Sequence, residues 1–448
     1  MLNKLATLKQ RFSSNKSKII SNVAWLLVDR ALCTGVSFLI SIWLAHYLGP
    51  EQFGTLRYVI AFVFLFSPIA TLGMTSVVTK DLVEHPSLKN EILGTACVLR
   101  LIFGFSSAAL SIISILFFAP KEPFIWLMIA ITSSTYLFQP LMALEQWFES
   151  QVDSKQIVLA RNLTLLIITI LKIALITYKA PLIAFVYLLV LEAVIYGFTL
   201  LLAYRLKNKD IHQWVIKLSR AKILIKESWP LLLTGIAATL YLKIDQVMLG
   251  QMADKKSVGV YAVAATLSEI WFVIPMAFTS SLFPSIIKSK KLSKEEYEKR
   301  LQQFYDLMAL LSYIILIFFL PISNYVIITA YGAEYAPAVN ILYIYILNCI
   351  FSFQGFAQGA WIISEGLQKL NFYAAASGAA INITLNLVLI PHFQGLGAAI
   401  ATLISYAFAC YFAYWFFPET RGSAMLMTKA ILLPFRLPSY LKNIKQNL

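Results

Sequence analysis

Twelve apolar stretches follow one another along this 448-residue chain. Each is long enough to cross the ~30 Å hydrocarbon core of a bilayer, for which a helix needs roughly twenty residues. They lie near 19–47, 52–79, 92–118, 124–148, 157–178, 181–204, 224–249, 257–287, 304–329, 337–363, 371–391 and 395–417. Water cannot satisfy backbone amides inside lipid, so each stretch is expected to form a helix that pairs its own peptide groups. The expected fold class is therefore an all-α membrane protein of about twelve transmembrane helices. Composition agrees. Apolar residues make up 59% of the chain and charged residues 13%, with a mean hydropathy of +0.74, whereas soluble domains carry about a quarter charged residues. The stretch from Ile19 to Tyr47 is too long for a signal peptide and reads as an uncleaved first span. The apolar tail 423–437, carrying Lys429 and Arg436, is expected as an interfacial helix.

The distribution of Lys and Arg orients these spans. With the N-terminus placed inside, 28 of the 37 basic residues fall in inner segments and four (Lys121, Lys179, Lys255 and Lys256) in outer loops. Both termini are thus expected in the cytoplasm, and the net charge of +15 is a topology signal and not the footprint of a nucleic-acid partner. All outer loops are short, which speaks against a membrane glycosyltransferase or polymerase. The four cysteines (Cys33, Cys97, Cys349 and Cys410) lie in apolar stretches and the four histidines are scattered, so no metal site is expected. No nucleotide-binding or hydrolase motif is present. No cofactor is expected, and a proton or sodium gradient is the energy source that remains.

The halves repeat each other in order. Leu48-Gly49 followed by Gly54-Thr55-Leu56-Arg57-Tyr58 matches Leu249-Gly250 followed by Gly259-Val260-Tyr261. Phe66-Ser67-Pro68-Ile69-Ala70 matches Val273-Ile274-Pro275-Met276-Ala277, and Trp147 and Lys155 match Trp361 and Lys369. Six spans per half make the repeat parallel. The expected organisation is two pseudo-symmetric six-helix lobes, 1–210 and 211–448, the second carrying the interfacial tail. Pro68 and Pro275 are expected to interrupt their helices and free backbone carbonyls, as packing kinks or as hinges for lobe movement.

Charges inside spans are expensive and usually face a cavity or a partner. Arg30, Arg57, Arg100, Lys172 and Lys243 are candidate substrate-binding residues, because a group of cations suits a phosphate or an acidic sugar. Asp245, Glu269 and Glu192 are candidate ion-coupling residues, since burial raises a carboxyl pKa towards a range where it can carry a proton. A structural ion pair between helices is the competing reading of any of them.

Three stretches carry a resemblance. They are Ala45-His46-Tyr47-Leu48-Gly49-Pro50-Glu51-Gln52-Phe53-Gly54 with its continuation Phe66–Gly73, then Lys243-Ile244-Asp245-Gln246-Val247-Met248-Leu249-Gly250, and then Leu267–Pro275 with Ser281-Leu282-Phe283-Pro284. Over about residues 20–90 and 235–290 the chain resembles the polysaccharide transporter branch of the MOP (multidrug/oligosaccharidyl-lipid/polysaccharide) superfamily, and within it the Wzx-type O-antigen flippases. The resemblance implies a MATE-like pair of lobes around a cationic cavity, in the inner membrane of a bacterium. It implies an undecaprenyl-pyrophosphate-linked oligosaccharide as substrate, membrane lipid as surroundings, and a polysaccharide polymerase and chain-length regulator as partners. Arg57 departs from the family pattern, where a neutral residue, often Asn, is common. Two alternatives stay open: a MATE-type multidrug antiporter, and a flippase for a lipid-linked peptidoglycan precursor.

Overall fold

The computed structural model describes the backbone of residues 2–208, 211–290 and 293–436, and the side chains within those ranges from residue 29 onward apart from 30, 208, 211 and 284. Arg30 and the basic N-terminal start therefore have side chains outside the described residues. In chain order the α-helices are α1 (Leu2–Phe64), α2 (Ser67–Thr71), α3 (Thr75–Glu84), α4 (Lys89–Phe118), α5 (Pro123–Ser133), α6 (Ala143–Ser150), α7 (Ser154–Thr177) and α8 (Leu182–Asn208). They continue as α9 (Leu218–Met252), α10 (Lys255–Glu269), α11 (Val273–Ser289), α12 (Lys294–Tyr331), α13 (Ala338–Tyr345), α14 (Asn348–Ser364), α15 (Gln368–Ala407), α16 (Ala413–Phe416) and α17 (Arg421–Ile431).

Among the described residues, nine helical stretches are long and apolar enough to cross a membrane, ten when the bent pair α13–α14 counts as one. Two of these stretches contain a residue that leaves the helix. Gly49 in α1 has φ 69°, ψ 170°, and Gln394 in α15 has φ 48°, ψ −126°. A positive φ suits glycine, and Pro50 then restarts the helix from a preset φ. Divided at those two residues, the described chain holds twelve membrane segments in the order expected. Helix α17, at 11 residues, is too short to be another.

Four segments are broken, and the breaks recur at corresponding places in the two halves. The second segment breaks between Phe64 and Ser67, and the eighth at a 3-10 turn, Ile270–Phe272. The fourth passes through a 3-10 stretch, Ser134–Met142, and the tenth bends by 41° between α13 and α14. As expected, the helices are interrupted at Pro68 and Pro275: each proline sits in the first turn of a new helical piece, where the N–H it lacks has no intrahelical partner to lose.

Two compact units divide the chain: Met1–Ser41 with Val59–Thr239, and Ile42–Tyr58 with Leu240–Leu448. The division falls inside α1 and α9 and not near residue 210, because α9 runs unbroken from one unit into the other.

In the first unit, carbonyls freed at the breaks find partners. The Tyr136 hydroxyl donates to the Val63 carbonyl at 2.5 Å, Ser107 Oγ to that of Phe66 at 3.2 Å, and Cys97 Sγ to that of Pro140 at 3.1 Å. The core gathers Leu72, Met74, Leu93, Phe148 and Leu200 around Trp147 and Tyr204, whose rings meet edge to face at 4.9 Å. The basic connection before α9 is fastened to this unit. Lys217 Nζ lies 2.5 Å from Glu91, Arg220 reaches Asp81 at 3.1 Å and Glu91 at 3.4 Å, and Val215 N donates to the Asn90 carbonyl at 3.2 Å. Those cations hold a strap in place against the first unit.

In the second unit, the repeated glycines touch each other. A Cβ on Gly54 would lie 1.7 Å from the Lys255 carbonyl oxygen, and one on Gly259 would lie 2.0 Å from that of Pro50. The end of α1 therefore crosses α10 backbone to backbone, a contact that only small residues permit. Tyr58 packs on Gly250 and accepts from Gln251, and Lys255 Nζ stands 3.9 Å from its ring centroid. The motif read as a repeat is thus also a packing joint.

Candidate functional site

Interrupted spans at matching positions of two repeats place free backbone and polar side chains at mid-membrane, and such places are where transporters build their sites. In the second unit Glu269 ends α10 at such a break, and in the first unit Glu145 lies in the first turn of α6, just past one.

In the first unit a cavity of about 610 Å³ opens between the two breaks. Val63, Phe64 and Ser67 line it from the second segment, Thr132 to Met142 from the fourth, and Arg161, Glu192 and Tyr196 from α7 and α8. Arg161 is the central charge. Its Nη1 donates to Asp29 at 2.9 Å and its Nη2 to Glu145 at 2.9 Å, while Asn162 donates to Asp29 at 2.8 Å. Asp29 is fully buried. Lys172 lies 3.9 Å from Glu192.

Arg100, on α4, is 1% exposed. Its Nε and Nη2 have no hydrogen-bond partner among the described residues, and Glu145 and Glu149 lie within electrostatic range. A guanidinium buried this way is costly unless something pairs with its open donors in another state of the molecule.

In the second unit, two carboxylates stand on one aromatic frame. Asp245 on α9 accepts from the Tyr261 hydroxyl and from its neighbour Gln246 N at 2.7 Å, with Thr402 Oγ1 at 3.5 Å. Glu269 is the last residue of α10, at the break of the eighth segment. It accepts from the hydroxyl of Tyr345, the last residue of α13, at 2.9 Å. One hydrogen bond therefore joins the two breaks of this half. The rings of Tyr261 and Tyr345 meet edge to face at 5.6 Å, which links the two acids through their donors.

Two cations complete the cluster. Lys243 Nζ lies 3.8 Å from Glu269, and the Arg57 guanidinium sits 4.9 Å from the Phe53 ring centroid, within electrostatic range of Glu269, Tyr331 and Tyr335. Arg57, Lys243, Asp245 and Glu269 are thus brought together. Lys172 with Glu192, and Arg100, are grouped separately in the first unit. Arg30 has no described side chain. The geometry also tempers the expected cationic character, because Lys172 and Lys243 each face a carboxylate and Arg57 has Glu269 within range.

The sequence reading missed Arg161, Tyr261, Tyr345 and Thr402. Arg161 lies at the start of the expected span 157–178, where a cation is ordinary, but α7 starts at Ser154 and carries it two turns into the helix. The available signal was Asp29, an acid inside a span that needed a cation.

The profile of the family described as "Polysaccharide biosynthesis protein" matches residues 19–290. A Haloferax volcanii protein described as "Probable low-salt glycan biosynthesis flippase Agl15" is 27% identical over 229 residues, which is 48% of this chain and 47% of the relative. The chain therefore matches about half the length of that relative. Among solved structures, a lipid II flippase MurJ in an inward closed conformation superposes with a TM-score of 0.71 at 15% identity, covering 93% of this chain and 92% of that one. An inward-facing multidrug resistance MATE transporter of the MOP superfamily superposes with a TM-score of 0.67 at 13% identity, covering 89% and 96%. At these identities the superpositions establish the fold, which is that of MOP superfamily transporters.

Proposed function

This chain belongs to the polysaccharide biosynthesis protein family, and from that premise we propose that it is a flippase for an undecaprenyl-pyrophosphate-linked O-antigen repeat unit. In this reading it resides in a bacterial inner membrane with both termini in the cytoplasm, is powered by a proton or sodium gradient, and hands its cargo to a polysaccharide polymerase and its chain-length regulator.

The observation that carries the reading is the cluster of Arg57, Lys243 and Glu269 at a break between helices. Lys243 stands 3.8 Å from Glu269 and Arg57 lies within electrostatic range of it, and cations gathered beside a carboxylate inside a membrane protein mark a place where another anion can bind. A pyrophosphate offers oxygens that Arg holds by paired donors and Lys as a point charge. To reach Lys243 it competes with Glu269, so the charge on Glu269 sets how tightly the headgroup is held. Arg100 and Arg30 are proposed as further headgroup contacts, with Lys172 beside the first-unit cavity.

Asp245, Glu269 and Glu192 are the proposed coupling carboxylates. Asp245 suits the role because it is 2% exposed and none of its described hydrogen bonds comes from a cation. A change in its charge therefore alters the local field without breaking an ion pair. An ion bound there can shift the conformational equilibrium only by its differential affinity for the two states.

The test is deletion of the gene in its host, with lipid-linked repeat units measured on each leaflet alongside surface polysaccharide. Accumulation on the cytoplasmic leaflet with loss of surface polymer is expected. Unchanged polymer with altered sensitivity to organic cations would replace this reading by the multidrug antiporter, and arrest of cell-wall synthesis by the peptidoglycan precursor flippase.

A further inference from the structure

Beyond the last membrane segment, which ends at Phe416, the chain turns through a 3-10 piece into α17. One face of α17 is spent on packing: Ser423, Ala424, Met427 and Ala430 are buried. The opposite side borders a groove of about 560 Å³ whose floor is apolar, formed by Trp415, Met425, Leu432 and Phe435. Phe435 is 82% exposed, a state that water penalises for a ring of this size.

The rim of the groove is cationic. Lys429 is exposed along it, and Arg436, one third exposed, donates to the Lys429 carbonyl at 2.8 Å and stands 3.5 Å from Asp306. Among the described residues, Asp306 offsets one of these two cations. From Arg421 to the last residue of the sequence there are five basic residues and no acidic one.

We propose that this groove is a binding site for an anionic phospholipid of the surrounding leaflet, with the phosphate at Lys429 and Arg436 and an acyl chain over Trp415, Leu432 and Phe435. Three features select a lipid over a soluble anion. Trp415 lies in the last turn of a membrane segment, so the groove is at the level where tryptophans mark the headgroup region. Its floor is apolar, so an acyl chain can cover it whereas a free phosphate would use only the two cations at the rim. Its charge matches an acidic headgroup, and a short amphipathic helix lying on such a surface gains from both terms together.

The experiment is native mass spectrometry of the full-length protein equilibrated with equal amounts of phosphatidylglycerol and phosphatidylcholine, in the wild type and in Lys429→Gln and Phe435→Ser. Both substituted residues are exposed, so folding is not at stake. The wild type is expected to retain phosphatidylglycerol preferentially. Lys429→Gln should lose that preference about fivefold, the worth of one cation near an anionic surface, and Phe435→Ser should retain less of both lipids. Equal retention of the two lipids by the wild type, or an unchanged preference in Lys429→Gln, overturns the proposal. Displacement of bound phosphatidylglycerol by inorganic phosphate at constant ionic strength overturns it in favour of a soluble anion.

Discussion

At the scale of single residues, this molecule is governed by the cost of charge in an apolar setting. Arg161 compensates both Asp29 and Glu145. Replacing it by Ala leaves two carboxylates without their cation. We expect a loss of about 2–3 kcal/mol, below the full ~3–5 kcal/mol of a broken buried pair because the guanidinium is one third exposed. Thermal unfolding in detergent checks this, and adding Asp29→Asn should recover part of the loss. Asp245→Asn should keep the fold and abolish the dependence of transport on the coupling ion, read as the rate of headgroup translocation with and without an imposed gradient. Asp245, Glu269 and Glu192 could be found in the sequence because a carboxylate stands out in a hydrophobic run. Arg161 could not, because a cation near a span end reads as a loop residue until the start of its helix is known. Tyr261 and Tyr345 were hidden for another reason: a tyrosine in a membrane span is ordinary, and only its hydroxyl's partner makes it part of a site.

At the scale of elements, hydropathy made the order of segments readable, including a boundary between 47 and 52, where the helix turns at Gly49. Hydropathy alone did not show the breaks within segments. A helix that stops at Phe64 and resumes at Ser67 keeps its apolar composition throughout, and its loose carbonyls are met by Tyr136 and Ser107, far away in sequence. What the sequence did show was the repeated proline, whose place at the start of a new piece follows from the amide hydrogen it lacks. The repeated glycine carries an equally physical meaning. Gly259→Ala should push α10 off the end of α1, at or beyond the upper end of the ~1–3 kcal/mol typical of overpacking. Gly359→Ala, where a Cβ would meet nothing within 4 Å, should be neutral or slightly stabilising. Paired melting temperatures of the two variants test the crossing, and equal losses would show that it is not tightly packed.

At the scale of the whole molecule, the sequence predicted a cationic site, whereas the described clusters are close to charge balance. That difference bears directly on mechanism. A carboxylate that already occupies the cations must yield to the substrate, so the two compete. Glu269→Gln should then raise the affinity for an anionic lipid headgroup several-fold, and Lys243→Gln should lower it, both read by titration of a soluble pyrophosphate-linked analogue. If Glu269→Gln weakens binding, the carboxylate is a ligand of the substrate and not its competitor.

The central claim is that the Arg57–Lys243 pair holds a pyrophosphate during translocation. The direct measurement is the rate at which a lipid-linked oligosaccharide pyrophosphate crosses proteoliposomes containing the wild type or the Arg57→Gln/Lys243→Gln double variant, each shown to be folded. At least a tenfold slower rate is expected in the double variant, with insertion and melting temperature unchanged. Translocation at the wild-type rate would contradict it.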